Sequence, residues 1–373
     1  SGLAMGVVGI LQTLPDLLFG LPAGAFADRW DRRRMMLFAD LGRAALTALI
    51  PLSVIVGWDT MTVILLVTAP IHLLRVIFMA AFTAAVPALA GREHLGQANG
   101  IVESVYSFSF IVGPAIAGIL SGLIGPAPTL AIDALSFLGS AGALFLVRRT
   151  LQAPSTGPRE THLLQEIRDG IAFIWQEQTL RMVVAYWGAV SVVTAPLVSA
   201  VIFFLTADRS QDAGIVGTVV SAYGLGYLAG AVLGGRFARG RLGLFMIGGN
   251  LAFAASLVLF AWATSLPLWL VGSFLTGASG ALVLVSYVTL RAAIPPDALL
   301  GRVGSTARTI SIGLSPIGML VGGLLLDRIG GSRTVLVIAA IIVAVTALSA
   351  LSRTLRAAAA PPRAPSPGLA DGG

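Results

Sequence analysis

Apolar runs of roughly 18–25 residues, each closed by a short polar or arginine-bearing connection, recur along the whole chain. They fall near 3–27, 35–56, 62–86, 100–124, 127–148, 181–206, 213–237, 243–263, 267–292, 305–326 and 331–351. A helix of about 20 such residues crosses a hydrocarbon core about 30 Å thick. The pattern therefore predicts an all-α membrane protein with eleven transmembrane helices.

The polar connections carry the cations unevenly. Arg29, Arg32, Arg33, Arg34, Arg92, Arg148, Arg149, Arg159, Arg168, Arg181, Arg236, Arg239, Arg241, Arg291, Arg302, Arg353, Arg356 and Arg363 fall on one side of the predicted topology. Only Arg209, Arg328 and Arg333 fall on the other. Positive charge is retained on the cytoplasmic face, so the arginine-rich ends and the C-terminus are read as cytoplasmic and residue 1 as external. An external start on Ser1, with no basic leader before it, leads us to expect one further upstream span, twelve in the complete protein.

Composition narrows the class. Of 373 residues 56% are hydrophobic and 11% charged, which places the chain in a multi-pass cell-membrane protein rather than in soluble domains. The formal charge of +7 comes from arginines in short loops, which argues against a nucleic-acid partner. There is no cysteine, and the three histidines are scattered, so neither a metal site nor a cofactor is expected. Without a nucleophile–base or metal constellation, an enzyme is not expected either.

Signals recur about two hundred residues apart. Gly24 to Arg34 is echoed by Gly235 to Arg241, and the stretch Ile111 to Gly118 by Gly313 to Gly318. Such duplication implies two six-helix bundles, an architecture used by secondary transporters. The expected domains are an N-terminal bundle over 1–148, a linker over 149–180, a C-terminal bundle over 181–351 and an unstructured tail over 352–373. In the linker, Leu163, Ile167, Ile171 and Ile174 share one face of an amphipathic helix lying on the cytoplasmic surface or against the bundle.

Charge within a span is costly and marks a functional candidate. Asp16 and Arg75 lie near the middle of their spans, and His72 precedes Arg75 by one turn. Protonation of Asp16 would discharge the pair and free Arg75; the alternative is a structural ion pair holding two helices together. Asp40, Arg43, Glu103 and Arg308 lie nearer the cytoplasmic ends, where snorkelling or loop pairing is expected. Asp133, about two turns inside the outer face, serves either helix packing or gating.

Gly24, Asp28, Arg29, Asp31, Arg32 and Arg33, followed by Asp40 and Arg43, resemble the loop signature of the major facilitator superfamily, and the resemblance spans nearly the whole chain. The pattern around Glu166 to Trp175, followed by Leu180 and Arg181, is similar to the branch containing the enterobactin exporter and macrolide efflux proteins. The resemblance implies the major facilitator fold, with its first helix as the missing span. It also implies a latch, in which Asp28 meets the helix beginning near Ser305 while the cytoplasmic side is closed; the alternative is that Arg29 to Arg34 only anchor topology. Gly100, Gly113, Pro114 and Gly118 resemble the fifth-helix motif of exporters that exchange substrate for protons, with Ser109 and Ala117 replacing two of its glycines. Arg75 matches an arginine implicated in proton transfer, although Met79 stands where a glycine is usual. In that architecture Met79, Tyr186, Trp187 and Ser286 or Tyr287 are candidate cavity-lining residues.

These readings lead us to expect a monomeric, proton-driven exporter of a drug, siderophore or similar amphiphile, with a small-molecule substrate, protons and the lipid bilayer as partners. No phosphate-binding loop is present to use ATP. Alternatives on the same fold are an uptake symporter and a non-transporting membrane scaffold.

Overall fold

A computed structural model describes residues 2–91, 94–147, 151–152, 163–237, 241–296 and 299–359. Every regular element among them is helical, as hydrocarbon demands: only a helix satisfies its own backbone donors and acceptors within one segment. The elements are α1 (Gly2–Arg29), α2 (Arg32–Val56), α3 (Thr60–Ala90), α4 (Leu95–Ile124), α5 (Pro126–Leu146), α6 (Leu163–Gln176), α7 (Gln178–Thr194) and α8 (Leu197–Phe203). They continue with α9 (Ala213–Phe237), α10 (Leu242–Trp262), α11 (Leu266–Ala293), α12 (Leu300–Gly313), α13 (Ser315–Ala350) and α14 (Arg353–Ala357).

Polar residues at the run boundaries set the helix starts. Asp31 caps α2 by accepting the Arg34 amide at 2.8 Å, and Asp59 caps α3 through the Thr62 amide at 3.0 Å. The Thr62 hydroxyl and then its amide, both donating to Asp59, hold that carboxyl below its usual range.

Nine helical stretches among the described residues are long and apolar enough to cross a membrane. They differ from the eleven expected spans in two places. Leu95–Ile124 is helical without being one of the nine, and 309–350 forms a single stretch of 42 residues. That stretch is broken at Gly330, whose φ of 78° and ψ of 173° lie outside the helical region, so α13 is two limbs joined at a kink. The limb before Gly330 meets α1, while the limb after it packs into a core with Phe253 and Leu257 of α10. The run expected near 305–326 begins earlier, at Leu300, and is divided between α12 and α13.

The unstructured tail expected from Ser352 is corrected over its first turns. Ser352 caps α14, and Leu355 is fully buried against α7 and α10, because an apolar side chain five residues past the end of α13 can still reach the bundle core. The Gly243 amide donates to the Ala358 carbonyl at 3.0 Å and fixes the segment. In α6, Ile174 enters the same core, whereas Ile171 is exposed. The rest of the amphipathic face, Leu163 and Ile167, lies outside the described side chains.

Lipid is as apolar as leucine, so helices associate through close packing and small residues rather than through water exclusion. A Cβ added at Gly277 of α11 would lie 2.0 Å from the Tyr223 carbonyl oxygen of α9, which leaves room for hydrogen alone. The first five helices meet the later ones chiefly along two seams, α1 with α13 and α4 with α9. Both seams close near the arginine-poor ends. Gly6 backs onto the Met319 carbonyl and Gly323, and a Cβ at Gly118 would lie 2.8 Å from both the Ala213 carbonyl and Gly217 Cα.

Replacing Gly118 by Leu should therefore prise α4 from α9. Spin labels at Ser121 and Asp212 should report a longer, broader distance distribution in Gly118→Leu than in the parent. An unchanged distribution would mean that this approach does not hold the seam.

Candidate transport site

Asp16 and Arg75 come together near the midpoints of α1 and α3. Arg75 Nη2 donates to Asp16 Oδ2 at 2.5 Å, and the side chains remain 42% and 28% exposed respectively, so the pair is not sealed. His72 lies one turn before Arg75, and its Nδ1 is buried with no hydrogen-bond partner. Arg75 Nε is likewise buried and unpartnered, which leaves one guanidinium donor free to seek an acceptor if the carboxylate is neutralised.

Each partner sits next to a point of weakness in its helix. Pro15 directly precedes Asp16, and Pro70 lies five residues before Arg75. Proline removes one backbone donor and bends the helix, so both charged groups ride on segments whose ladder is already interrupted.

The loop signature divides into unlike parts. Arg32 is buried and acts as a staple: Nε donates to the Ala27 carbonyl at 3.2 Å, and Nη1 to the carbonyls of Ala84 at 2.9 Å and Leu151 at 3.1 Å. These acceptors lie in the last turn of α1, in α3 six residues before its end and five residues beyond α5, so one guanidinium joins three segments. Arg33 donates to the Phe145 carbonyl at 2.8 Å and lies over the Phe145 ring. The topological-charge reading of these two residues is thus incomplete, since both tie separate segments together. Arg29 is exposed, Gly24 has open space beside it, and the Asp28 side chain lies outside the described residues, as does that of Ser305.

Asp40 and Arg43 do not snorkel or pair with the loop. They pair with each other inside α2, with Asp40 fully buried and Arg43 12% exposed. Arg43 also lies over two rings, Phe78 of α3 at 4.8 Å and Phe137 of α5 at 4.5 Å. Both helices pack on α2, so a residue read as near an end is enclosed by its neighbours.

Of the exporter-seam residues, Gly118 is buried in the α4–α9 contact, whereas a Cβ added at Gly113 would meet no other segment within 4 Å. The surroundings of Gly100 and Pro114 lie outside the described residues, although α4 runs through both positions. Among the candidate lining residues, Met79 is exposed, whereas Ser286 is fully buried and donates to the Leu282 carbonyl at 2.8 Å. Trp187 and Tyr287 stack with centroids 4.7 Å apart, and Arg291 lies 5.5 Å from the Tyr287 ring. Tyr186 is buried: its hydroxyl accepts from Asn250 Nδ2 at 2.6 Å and lies 3.0 Å from the Thr346 hydroxyl. Asn250 and Thr346 were not anticipated; the one signal for Asn250 was a lone amide in an otherwise apolar run.

Helices of membrane length, interhelical seams built on glycine and a charged pair at mid-span define a membrane transporter. The family described as transmembrane secretion effector, MFS_3, matches residues 1–369, and the chain belongs to this family of the major facilitator superfamily. It is similar to the multidrug efflux pump Tap of Mycolicibacterium fortuitum, with 28% identity over 90% of this chain and 84% of that protein. It is also similar to macrolide efflux protein A of Streptococcus pyogenes, with 24% identity over 95% of this chain and 89% of that one. The fold matches that of a bacterial homologue of the human lysosomal transporter Spinster in an inward-facing, unoccupied conformation. The TM-score is 0.75 at 14% identity, over 96% and 90% of the two chains. The nucleoside transporter NupG gives 0.74 at 14% identity, over 94% and 90%.

The Arg32 staple carries a stability prediction. Arg32→Ala should lower stability by about 3 kcal/mol, since hydrogen bonds from a charged donor are worth about 1.5–3 kcal/mol each and one bound carbonyl can recover a water partner. Arg32→Lys should recover little of this, because an ammonium lacks the guanidinium fork. Thermal unfolding in detergent, read by size-exclusion fluorescence, checks it: equal midpoints for Arg32→Ala and Arg34→Ala would exclude a staple.

Proposed function

We propose that this transporter is an exporter that moves a drug, siderophore or other amphiphilic small molecule out of the cell in exchange for protons. Two bundles, 1–148 and 181–351, rock about a midplane cavity, joined by the linker over 149–180. The observation that carries the coupling is the Asp16–Arg75 pair, an ionisable contact between two helices of the N-terminal half. Asp16 takes a proton, loses its charge and releases Arg75, and α1 and α3 then relax relative to each other about Pro15 and Pro70. His72 lies one turn from Arg75 on α3, with its Nδ1 buried and unpartnered, and is an acceptor that the released Arg75 can turn to.

Export is favoured over uptake by the names of the relatives, which are efflux proteins for drugs and macrolides. The small-residue seams support the rocking. Backbones in contact at Gly6 with Gly323 and at Gly118 with Gly217 can part and rejoin without carrying large side chains across the interface. Trp187 and Met79 are suited to a large apolar ligand that slides rather than docks, since aromatic and thioether surfaces are indifferent to exact orientation.

Dye efflux from whole cells, with and without an uncoupler, tests the reading. The parent should lower retention only while the proton gradient stands. Asp16→Asn and Arg75→Ala should each abolish gradient-driven efflux while the protein remains in the membrane. Either variant pumping at the parental rate would remove the pair from coupling, and retention raised by the parent would reverse the direction.

A further inference from the structure

A second charged group lies inside the N-terminal half, away from Asp16. Arg43 stands on α2 about 16 Å from its start, and Asp40 one turn nearer the arginine-rich side. Phe137, one of the two rings on Arg43, lies on α5, and Asp133 lies one turn from Phe137 toward the arginine-poor side. The guanidinium therefore lies between Asp40, one turn back on its own helix, and the stretch of α5 that carries Phe137 and Asp133. Its ion pair is with Asp40, and its charge also acts on Asp133.

The charges do not balance, for two carboxylates share one cation within the hydrocarbon layer. An excess negative charge there costs several kcal/mol by usual desolvation estimates, and the cost is avoided if one carboxylate carries a proton. Asp40 is fully buried and already paired, whereas Asp133 lies on an open face of α5. The cluster also has spare hydrogen-bonding capacity at its centre: Asp40 Oδ2 and Arg43 Nε are buried without partners. On the elements packed together here, Arg29 at the end of α1 is exposed, Arg32 and Arg33 at the start of α2 are bound to carbonyls, and the Asp28 side chain of α1 is outside the described residues. Asp16 of α1 pairs with Arg75 of α3, His72 lies beside that pair, and the Glu103 side chain of α4 is outside the described residues.

We propose that Asp133 is a proton-binding carboxylate of this transporter, with Arg43 as the cation that it shares with Asp40. When Asp133 takes a proton from water its charge is lost and Arg43 rests on Asp40, the arrangement in the structure. When the proton leaves, Arg43 is drawn one turn along α2 toward Asp133, sliding over Phe78 and Phe137. Phe78 lies three residues beyond Arg75 on α3, so the movement of Arg43 presses on the helix that carries the first pair.

The inference rests on the transporter reading but not on the role of Asp16, and its test needs no transport. Infrared difference spectra of the purified protein in lipid nanodiscs, recorded across a pH titration, report the carbonyl band of protonated carboxylic acids. Asp133→Asn should lose a titrating band that Asp16→Asn retains, and Asp133→Glu, which preserves the acid if the amide fails to fold, should shift that band instead. A spectrum unaltered in both Asp133 variants would overturn the proposal, as would a titrating band lost only in Asp16→Asn. Failure of dye efflux to depend on the gradient, with the Asp133 band present, would instead count against the exporter reading alone.

Discussion

Inside a hydrocarbon layer a charge that is not paired within the protein has no solvent to fall back on, and that constraint organises this molecule. Its described intramembrane cations each take an anion, an aromatic face or a carbonyl. Arg75 takes Asp16, Arg43 takes Asp40 and two phenylalanine rings, and Arg32 takes backbone carbonyls of three segments. None of these can be removed singly without leaving a stranded partner. A device that neutralises one side chain therefore forces a rearrangement.

The constraint divides the labour between the two halves. Among the described residues the first five helices hold the side-chain ion pairs and the prolines inside α1, α2 and α3, and their packing leaves the Asp16–Arg75 contact open. At mid-span the later helices are held by dry surfaces and neutral hydrogen bonds, while charged groups such as Asp208 and Arg291 bond backbone groups at their ends. Gly277 lets α11 approach α9 backbone to backbone, Tyr186 joins α7, α10 and α13 through Asn250 and Thr346, and the Ser256 and Thr276 hydroxyls lie 2.8 Å apart between α10 and α11. Neutral groups do not change charge across the physiological range, so that half is suited to act as the stiff partner. The half with titratable groups is suited to respond.

Hydropathy made the helices legible because one long apolar run per span is an obligate signature of crossing a membrane. The arginine asymmetry identified two sides for an equally physical reason. Asp16 and Arg75 stood out because carboxylate and guanidinium at mid-span are too costly to be incidental. Other features were hidden. Nothing in the order of residues shows that Arg32 turns inward onto carbonyls of three segments, since backbone acceptors are the same at every position. Asp40 and Arg43 were read by distance from the end of α2, yet their surroundings are decided by which face α3 and α5 cover. Likewise, Leu355 lies in a tail rich in alanine, proline and glycine, and only the Gly243 backbone that receives it shows that its first turn is packed.

The central claim is that substrate movement and proton movement are opposed and linked. Purified protein in proteoliposomes with an acidic lumen and alkaline bath, loaded with no other energy source, tests this directly. The account predicts that an amphiphilic dye supplied outside accumulates in the lumen as the pH gradient decays, and that accumulation ceases once a protonophore collapses the gradient. Dye that equilibrates to the same level with and without the gradient, or that is driven out of the acidic lumen, would contradict it.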